Sequence, residues 1–503
     1  MGGQEHQEVV GVVRTSAEEY ASVAPFNPDQ SYPELPWRVQ PSGQNPAYEG
    51  VRGLFQVLSY DAGNFGSQHW NPLGWLIRPG DTVLLKPNLI KESHPRDPNG
   101  WRYVLTHGSF IRAVADYVCI ALAGQGRIVV CDAPQTDSNF AEIGERLGLD
   151  CLAEFYRSKG VHFDLIDLRK EEWQEKDGAI IGRRGLPGDP RGSVAYDLGA
   201  RSELAGHAGS GHYYGADYDV VEVNAHHSQG RHEYLISKTV MQADVFINMP
   251  KLKTHKKTGI TVALKNLVGI NTDKNWLPHH TEGEGSVGGD EFPELTTLRR
   301  LELAGSKVLR RLALVSPRVG GRLLAGSKSL ARPILGGSRE VIRAGNWYGN
   351  DTAWRMCLDL NKILFFGRLD GTLMDSEVYA GKRYLALVDG ILAGEGDGPL
   401  DPDPVAARLV LGGTNPAAVD AAAAVLMGFD PEKIPVVYRA YFSAAYPLVG
   451  GSWKDVRLVS NAPDWNLRLG EIDPSACFHF KPHFGWEGHI EREPAAVSRS
   501  THD

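Results

Sequence analysis

Short apolar runs that end in polar loops, each separated from the next by a stretch with helical spacing, constrain this chain more than any other feature. Asp81–Ile90 (DTVLLKPNLI), Gly126–Pro134 (GRIVVCDAP) and Val161–Leu168 (VHFDLIDL) have the length and apolar content of buried strands. Between the first two lies THGSFIRAVADYVCIALAGQG, with Thr106 placed as N-cap and Gly124 or Gly126 as the stop. SNFAEIGERLGLDCLAEFYRSKG supplies the next helix. Strand, helix and strand in succession predict parallel pairing through crossovers, hence an α/β fold on a mostly parallel, doubly wound sheet. In such a sheet ligands gather at the carboxyl ends of the strands.

The alternation continues along the chain. GVRGLFQVLSY reads as a helix before the first strand, and ISKTVMQ, ADVFINMP and GITVALKNLVG read as helix, strand and helix. RYLALVDGI, ARLVLGGT and DVRLVS read as strands, and NPAAVDAAAAVLMGF as a helix with Asn415 as N-cap and Pro416 at its first position. Residues 170–235 break the pattern, because KDGAIIGRRGLPGDPRG and DYDVVEVN look like hairpin strands, an antiparallel elaboration. The expected organisation is an irregular N-terminal arm (1–45), a first core part (46–275), a loop with a basic helical insertion (276–345), a second core part (346–487) and a polar tail (488–503).

With 42% hydrophobic and 23% charged residues among 503, the composition excludes collagen-like, low-complexity and disulfide-scaffold classes. The five cysteines form no CxxC pair, so no iron–sulfur cluster is expected, and a reducing cytosol is the expected setting. The sequence shows neither a basic n-region followed by an apolar h-region nor an apolar run of membrane-spanning length. Residues 298–343 hold 11 Lys and Arg against 2 Glu, a local +9 in a chain of net −8. Leu298, Leu301, Leu309, Leu312 and Leu314 among these cations suit a basic amphipathic helix. That segment reads either as a hairpin packed on the body or as a peripheral contact with the anionic inner face of a membrane. Nucleic acid is not expected as a partner, since the rest of the chain is acidic and lacks a basic platform interleaved with aromatics.

The densest polar stretch, Asn248-Met249-Pro250-Lys251-Leu252-Lys253-Thr254-His255-Lys256-Lys257-Thr258-Gly259, follows a buried strand and precedes a helix. Cations, hydroxyls and helix amides in that position hold phosphate or carboxylate through charge-assisted hydrogen bonds. Lys86-Pro87-Asn88 repeats the arrangement, and two neighbouring parallel strands would aim both lysine groups at one cleft. Lys265 and Asn266 sit near the start of the next helix, where a buried lysine needs a partner or a ligand. A second cluster is acidic: Asp389-Gly390, then Glu395-Gly396-Asp397-Gly398, with glycines that allow close backbone approach. Asp420 is expected either as a buried partner of a lysine or as an exposed acid. His226-His227 and His279-His280 lack the HxH or HxxxH spacing of metal sites. In Gly345–Asn361, Asp351 is expected to cap a helix and Arg355 to pair with Asp359, while Trp347, Tyr348 and Trp354 resemble a carbohydrate-stacking surface. The chain contains no nucleophile elbow, Walker motif or dinucleotide fingerprint.

Together, INMPKLKTHKKTGITVALKNLVGIN, VLLKPNLI, LVDGILAGEGDGPL and NPAAVDAAAAVLMGFDPEKIP resemble the bacterial and archaeal family called domain of unknown function 362. These blocks span residues 83–435, and PKLKTH…LKN is the most specific of them. The resemblance implies an α/β fold. Some relatives look like iron–sulfur proteins through ferredoxin-type cysteine runs, which this chain lacks. The basic insertion and GNWYGNDTAWR look like those of members found near cell-surface polysaccharide genes.

The expected site is a cleft with Lys86, Asn88, Lys251, Lys253, Thr254, His255, Lys265 and Asn266 on one side and Asp389, Glu395 and Asp397 on the other. It would take an anionic small molecule such as a sugar phosphate, nucleotide sugar or lipid-linked phosphate. In an enzyme, Lys251 would hold the anion while His255 or Asp389 moves a proton. Two alternatives stand: a non-catalytic binding or scaffolding protein at the membrane surface, and an enzyme with a divalent metal at His255 and Asp389 or Asp397.

Overall fold

The apolar runs form strands of a mixed sheet in the computed structural model, which describes residues 7–41, 43–176, 179–215, 219–294, 341–375, 382–443 and 445–493. In chain order the strands are β1 (Val9–Arg14), β2 (Thr82–Pro87), β3 (Arg127–Asp132) and β4 (His162–Asp167). A peripheral group follows: β5 (Glu171–Lys176), β6 (Ala179–Gly185), β7 (Ser193–Asp197), β8 (Tyr213–Gly215) and β9 (Glu233–Ser237). Then come β10 (Val245–Met249), β11 (Lys251–His255), β12 (Gly259–Thr261) and β13 (Pro278–Thr281). The last are β14 (Arg383–Asp397), β15 (Asp401–Val405), β16 (Leu409–Gly413) and β17 (Arg457–Ser460).

The main sheet runs β17-β1-β16-β14-β10-β2-β3-β4, and β11, β12 and β15 extend it beside β14. From β14 to β4 every pairing is parallel, whereas β16 runs antiparallel to both of its neighbours. This is the expected α/β architecture, and β5–β6 and β7–β9 supply the antiparallel elaboration. Strand alternation divides the buried side chains between two faces. Leu84, Val129, Phe246 and Tyr384 join one core with the helices Ala353–Phe366 and Pro416–Met427. Val83, Leu85, Ile128, Val130, Val245 and Ile247 join the other with the helices Pro46–Val57 and Gly108–Leu122. Burial on both faces is why these strands read as continuous apolar runs.

Several local expectations are corrected. The N-terminal arm is not irregular throughout: β1 inserts between β17 and β16, and its buried valines were masked by polar flanks. The single helix expected over 138–160 is two, Phe140–Arg146 and Leu149–Ser158, broken at Gly148 with φ of 61°. The part of DYDVVEVN from Val220 onward is not a strand but opens the helix Val220–His226, because Asp219 accepts the amides of Val221 and Glu222 and so caps it. His107, not Thr106, caps the helix Gly108–Leu122. The KLKTH stretch, placed between a strand and a helix, is itself a strand, GITVALKNLVG opens with β12 before the short helix Ala263–Asn266, and Asp389 and Glu395–Asp397 lie within the 15-residue β14. Ile490 is buried, so packing extends beyond residue 487. The basic insertion lies outside the described residues except for 341–343.

Candidate functional site

β2 and β10 pair with Lys86 opposite Asn248, whereas Lys251 and Lys253 lie on the following strand β11, which pairs with β14 and β12 and not with β2. These lysines enter different networks. Lys86 follows Leu84 in the alternation and turns toward the short helix Ala263–Asn266. Its ammonium is 2.7 Å from Asp132 Oδ1 and donates to the Pro87 carbonyl (2.8 Å) and Asn266 Oδ1 (3.3 Å). Asn266 Nδ2 donates back to the Lys86 carbonyl (3.1 Å) and to Asn248 Oδ1 (2.8 Å). Asp132 Oδ2 accepts the Leu89 amide at 2.8 Å. Lys86 thus sits in a closed, internally satisfied ring.

Lys251 belongs to a second ring. Its ammonium reaches Asp389 Oδ2 at 3.1 Å and donates to the Tyr20 hydroxyl at 2.7 Å. Tyr20 donates in turn to Asp389 Oδ1 (2.5 Å), and the His107 amide donates to Asp389 Oδ2 (2.9 Å). The His107 ring stacks on Tyr20 with centroids 4.0 Å apart. Burial, reinforced by the Asp389 charge, raises the Tyr20 phenol well above its ordinary range, so it remains a proton donor. Burial likewise holds His107 neutral. A lysine and a carboxylate with no exposed side-chain surface, each this fully engaged, tie the N-terminal arm to the sheet.

A third group is incomplete. Lys253 is fully buried and donates to the Val104 carbonyl at 2.6 Å, with Asn88 Oδ1 at 3.5 Å. Asn88 is held by exchange with Thr106, whose hydroxyl accepts the Asn88 amide at 2.9 Å and donates to the Met249 carbonyl at 2.6 Å. Burial, then the ammonium groups of Lys251 and Lys265, push the Lys253 amine well below the usual lysine range. His255 Nδ1 accepts the amides of Lys257 (3.0 Å) and Thr258 (3.2 Å), which places the ring proton on Nε2. Burial, then the cations Lys265 and Lys256, keep this imidazole neutral. His279 is neutral for the same first reason, with Lys257 and Lys265 acting next. Neither Lys256 nor Lys265 makes a side-chain hydrogen bond or ion pair among the described residues, although Asp397 exerts an attraction on Lys256. Thr261, opposite Lys253 in the β11–β12 pairing, has a buried hydroxyl without a hydrogen-bond partner among the described residues.

The remaining expected residues stand apart from this group. Thr254 donates to the Gly396 carbonyl at 2.9 Å, Glu395 accepts the Lys481 amide at 2.8 Å, and Asp397 lies 3.6 Å from His483. His255 and Asp389 occupy separate networks. Asp420 does not meet a lysine: it accepts the amides of Ala263 (2.7 Å) and Leu264 (3.1 Å), and burial raises it to about 8. Arg355 pairs with Asp351 rather than Asp359, and the helix at 353 begins at Thr352, whose amide Asp290 accepts. Trp347 and Trp354 are buried, so they form no stacking surface, although Tyr348 is exposed. Tyr20, His107 and Asp132 were not anticipated in the site, and of these only Asp132 had a sequence signal, its place at a strand end. Among the described residues no group of three or more His, Cys, Asp or Glu side chains is placed to hold a metal ion. A cleft of about 490 Å³ lined by Trp75, Arg383 and Asn415 lies at the opposite edge of the sheet.

The family model described as Domain of unknown function (DUF362) matches residues 83–188 and 188–425, a span that contains all of these lysines. A thylakoid-associated protein of Synechocystis sp. is 26% identical over 235 residues, which are 46% of this chain and 53% of that protein. The match thus spans about half the length of that relative. A crystal structure of a protein from Thermotoga maritima is 10% identical with a TM-score of 0.27, over 67% of this chain and 53% of that one, a likeness too slight to carry an argument. No helix among the described residues is long and apolar enough to cross a membrane.

Proposed function

The chain belongs to the family named Domain of unknown function (DUF362), and within it we propose that this member binds an anionic small molecule against Lys265, Lys256 and the Nε2–H of His255. The observation that carries this reading is that these three donors are drawn together at the carboxyl edge of the sheet while none has a hydrogen-bond partner among the described residues. The lysines of the two closed rings have carboxylates at ion-pair distance, so the shortage of acceptors is specific to this group. An unpaired, largely buried ammonium is destabilising, and a bound anion removes that penalty. Neutral His255 adds a hydrogen bond with directionality. A phosphate or carboxylate group supplies the charged acceptor that these donors lack, consistent with a phosphorylated or carboxylated metabolite.

Thermal unfolding against inorganic phosphate, sulfate and simple carboxylates tests the reading. Stabilisation by one of these, lost in Lys256→Met, supports it; equal stabilisation in both proteins counts against it.

A second reading, peripheral contact with an anionic membrane, draws on the thylakoid association in the name of the Synechocystis relative and on the +9 charge of residues 298–343. Sedimentation with phosphatidylglycerol vesicles, lost on deleting 298–343, is its expected signature.

A further inference from the structure

We infer that residues 481–490 form a lid over the anion site, which lifts as a unit to let the ligand in and out. This rests on the anion-site reading and adds how that site is reached.

The first argument is access. His255 and Lys265 are 4% and 8% exposed, so an anion in solvent reaches them only after part of the protein moves. The elements that carry them are firmly held. β11 is paired with β12 on one side and with β14 on the other. The one-turn helix Ala263–Asn266 is fixed by three side chains from elsewhere. Asp420 accepts the amides of Ala263 and Leu264, Asn248 Nδ2 donates to the Ala263 carbonyl at 2.9 Å, and Asn361 Nδ2 donates to the Leu264 carbonyl at 3.0 Å.

The second argument is the build of the 481–490 segment, no residue of which belongs to a helix or strand. Its flanks close on consecutive residues: the Phe480 amide donates to the Met427 carbonyl at 3.0 Å and the Arg492 amide to the Gly428 carbonyl at 2.9 Å. Lys481 is anchored on β14, its amide donating to Glu395 at 2.8 Å and its carbonyl accepting the Gly396 amide at 2.7 Å. A segment whose ends adjoin in this way is an Ω-loop, a compact unit packed by its own groups. Internal bonds hold it together: the Trp486 amide donates to the His483 carbonyl (2.7 Å), the His489 amide to the Trp486 carbonyl (3.0 Å) and the Gly485 amide to His483 Nδ1 (3.1 Å).

The third argument is where this loop rests. Trp486 Nε1 donates to the Lys256 carbonyl at 2.8 Å, and Gly259 passes so close to the indole that a Cβ there would stand 3.3 Å from it. The turn under Trp486 is the one whose amides, from Lys257 and Thr258, hold His255. His483 lies 3.6 Å from Asp397 and near enough to Lys256 for that cation to act on its ring. On the outer side the Gly485 carbonyl accepts the Tyr348 amide at 3.0 Å, and the His489 ring stacks on Tyr348 with centroids 3.6 Å apart. Breaking these contacts frees the loop from the turn without disturbing the sheet. Lifting also uncovers Trp486, which is 1% exposed, so the open form is rare and ligand exchange is slow.

Phosphate exchange tests the lid. Phosphorus magnetisation transfer gives the dissociation rate and calorimetry the affinity, for the full chain, for Trp486→Phe and for Tyr348→Ala. Trp486→Phe keeps a ring and loses the bond to Lys256, while Tyr348→Ala removes the outer stack at an exposed position and spares the interior. Because the same closed lid serves the free and the loaded protein, association and dissociation should quicken together, by about fivefold for one lost hydrogen bond, with affinity within about twofold of the parent. Parent-like phosphate rates in both variants overturn the lid and leave the anion site standing. A parent that binds no phosphate overturns the two together.

Discussion

Lys86 Nζ and Asp132 Oδ1 stand 2.7 Å apart directly against Gly269, where an added Cβ would fall 2.6 Å from the first and 1.8 Å from the second. The chain can pass there only without a side chain, so the glycine and the ion pair specify one another. Gly269→Ala is therefore expected to force the pair open and leave both charges buried without their partner, a loss of about 3–5 kcal/mol. Denaturant unfolding measures it; a midpoint within error of the parent would show that the ring yields cheaply.

Tyr20 bridges Lys251 and Asp389 from the N-terminal arm. Removal of its hydroxyl in Tyr20→Phe deprives a buried ammonium and a buried carboxylate of one hydrogen bond each, expected at about 1–3 kcal/mol. The arm should also become more accessible to protease, which limited proteolysis followed by mass mapping reports. An unchanged digestion pattern would mean that β1 alone holds the arm.

Asp420 makes stability depend on pH in an unusual direction. Its folded-state carboxyl is raised to about 8, whereas an unfolded aspartate titrates near 4. Between those values the folded chain keeps a proton that the unfolded chain releases, so this group's contribution is fully present below about pH 4 and is lost as pH rises toward 8. Asp420→Asn should flatten that slope in unfolding free energy measured from pH 5 to 8. Identical slopes in the two proteins would remove Asp420 as the cause.

The main strands were legible from periodicity because burial on both faces leaves unbroken apolar runs such as VLLKP and VFINM; their order in the sheet was not. The same reasoning put Lys86 at the end of a buried strand, but it did not see that Lys251 and Lys253 form a strand of their own, β11, beside β14. It could not assign partners, since which face a lysine meets depends on contacts distant in sequence: Tyr20 lies 231 residues from Lys251. Nor could it separate Asp389 from Glu395, because one 15-residue strand carries the first into a buried ring and the second to the surface. The aromatic cluster misled for a related reason, as Trp347 and Trp354 are amphipathic enough to suit either a core or a sugar surface, and the fold buries them.

The most direct test of the anion site is calorimetric titration of the full chain and of Lys265→Met with inorganic phosphate, paired with denaturant unfolding of each in the absence of phosphate. A ligand-binding lysine without a protein partner costs stability, so the methionine variant should bind phosphate at least about tenfold more weakly, roughly 1.4 kcal/mol, while unfolding at higher denaturant. Equal affinity in the two proteins, or a variant that loses stability while keeping affinity, would contradict the account and return Lys265 to a purely structural role.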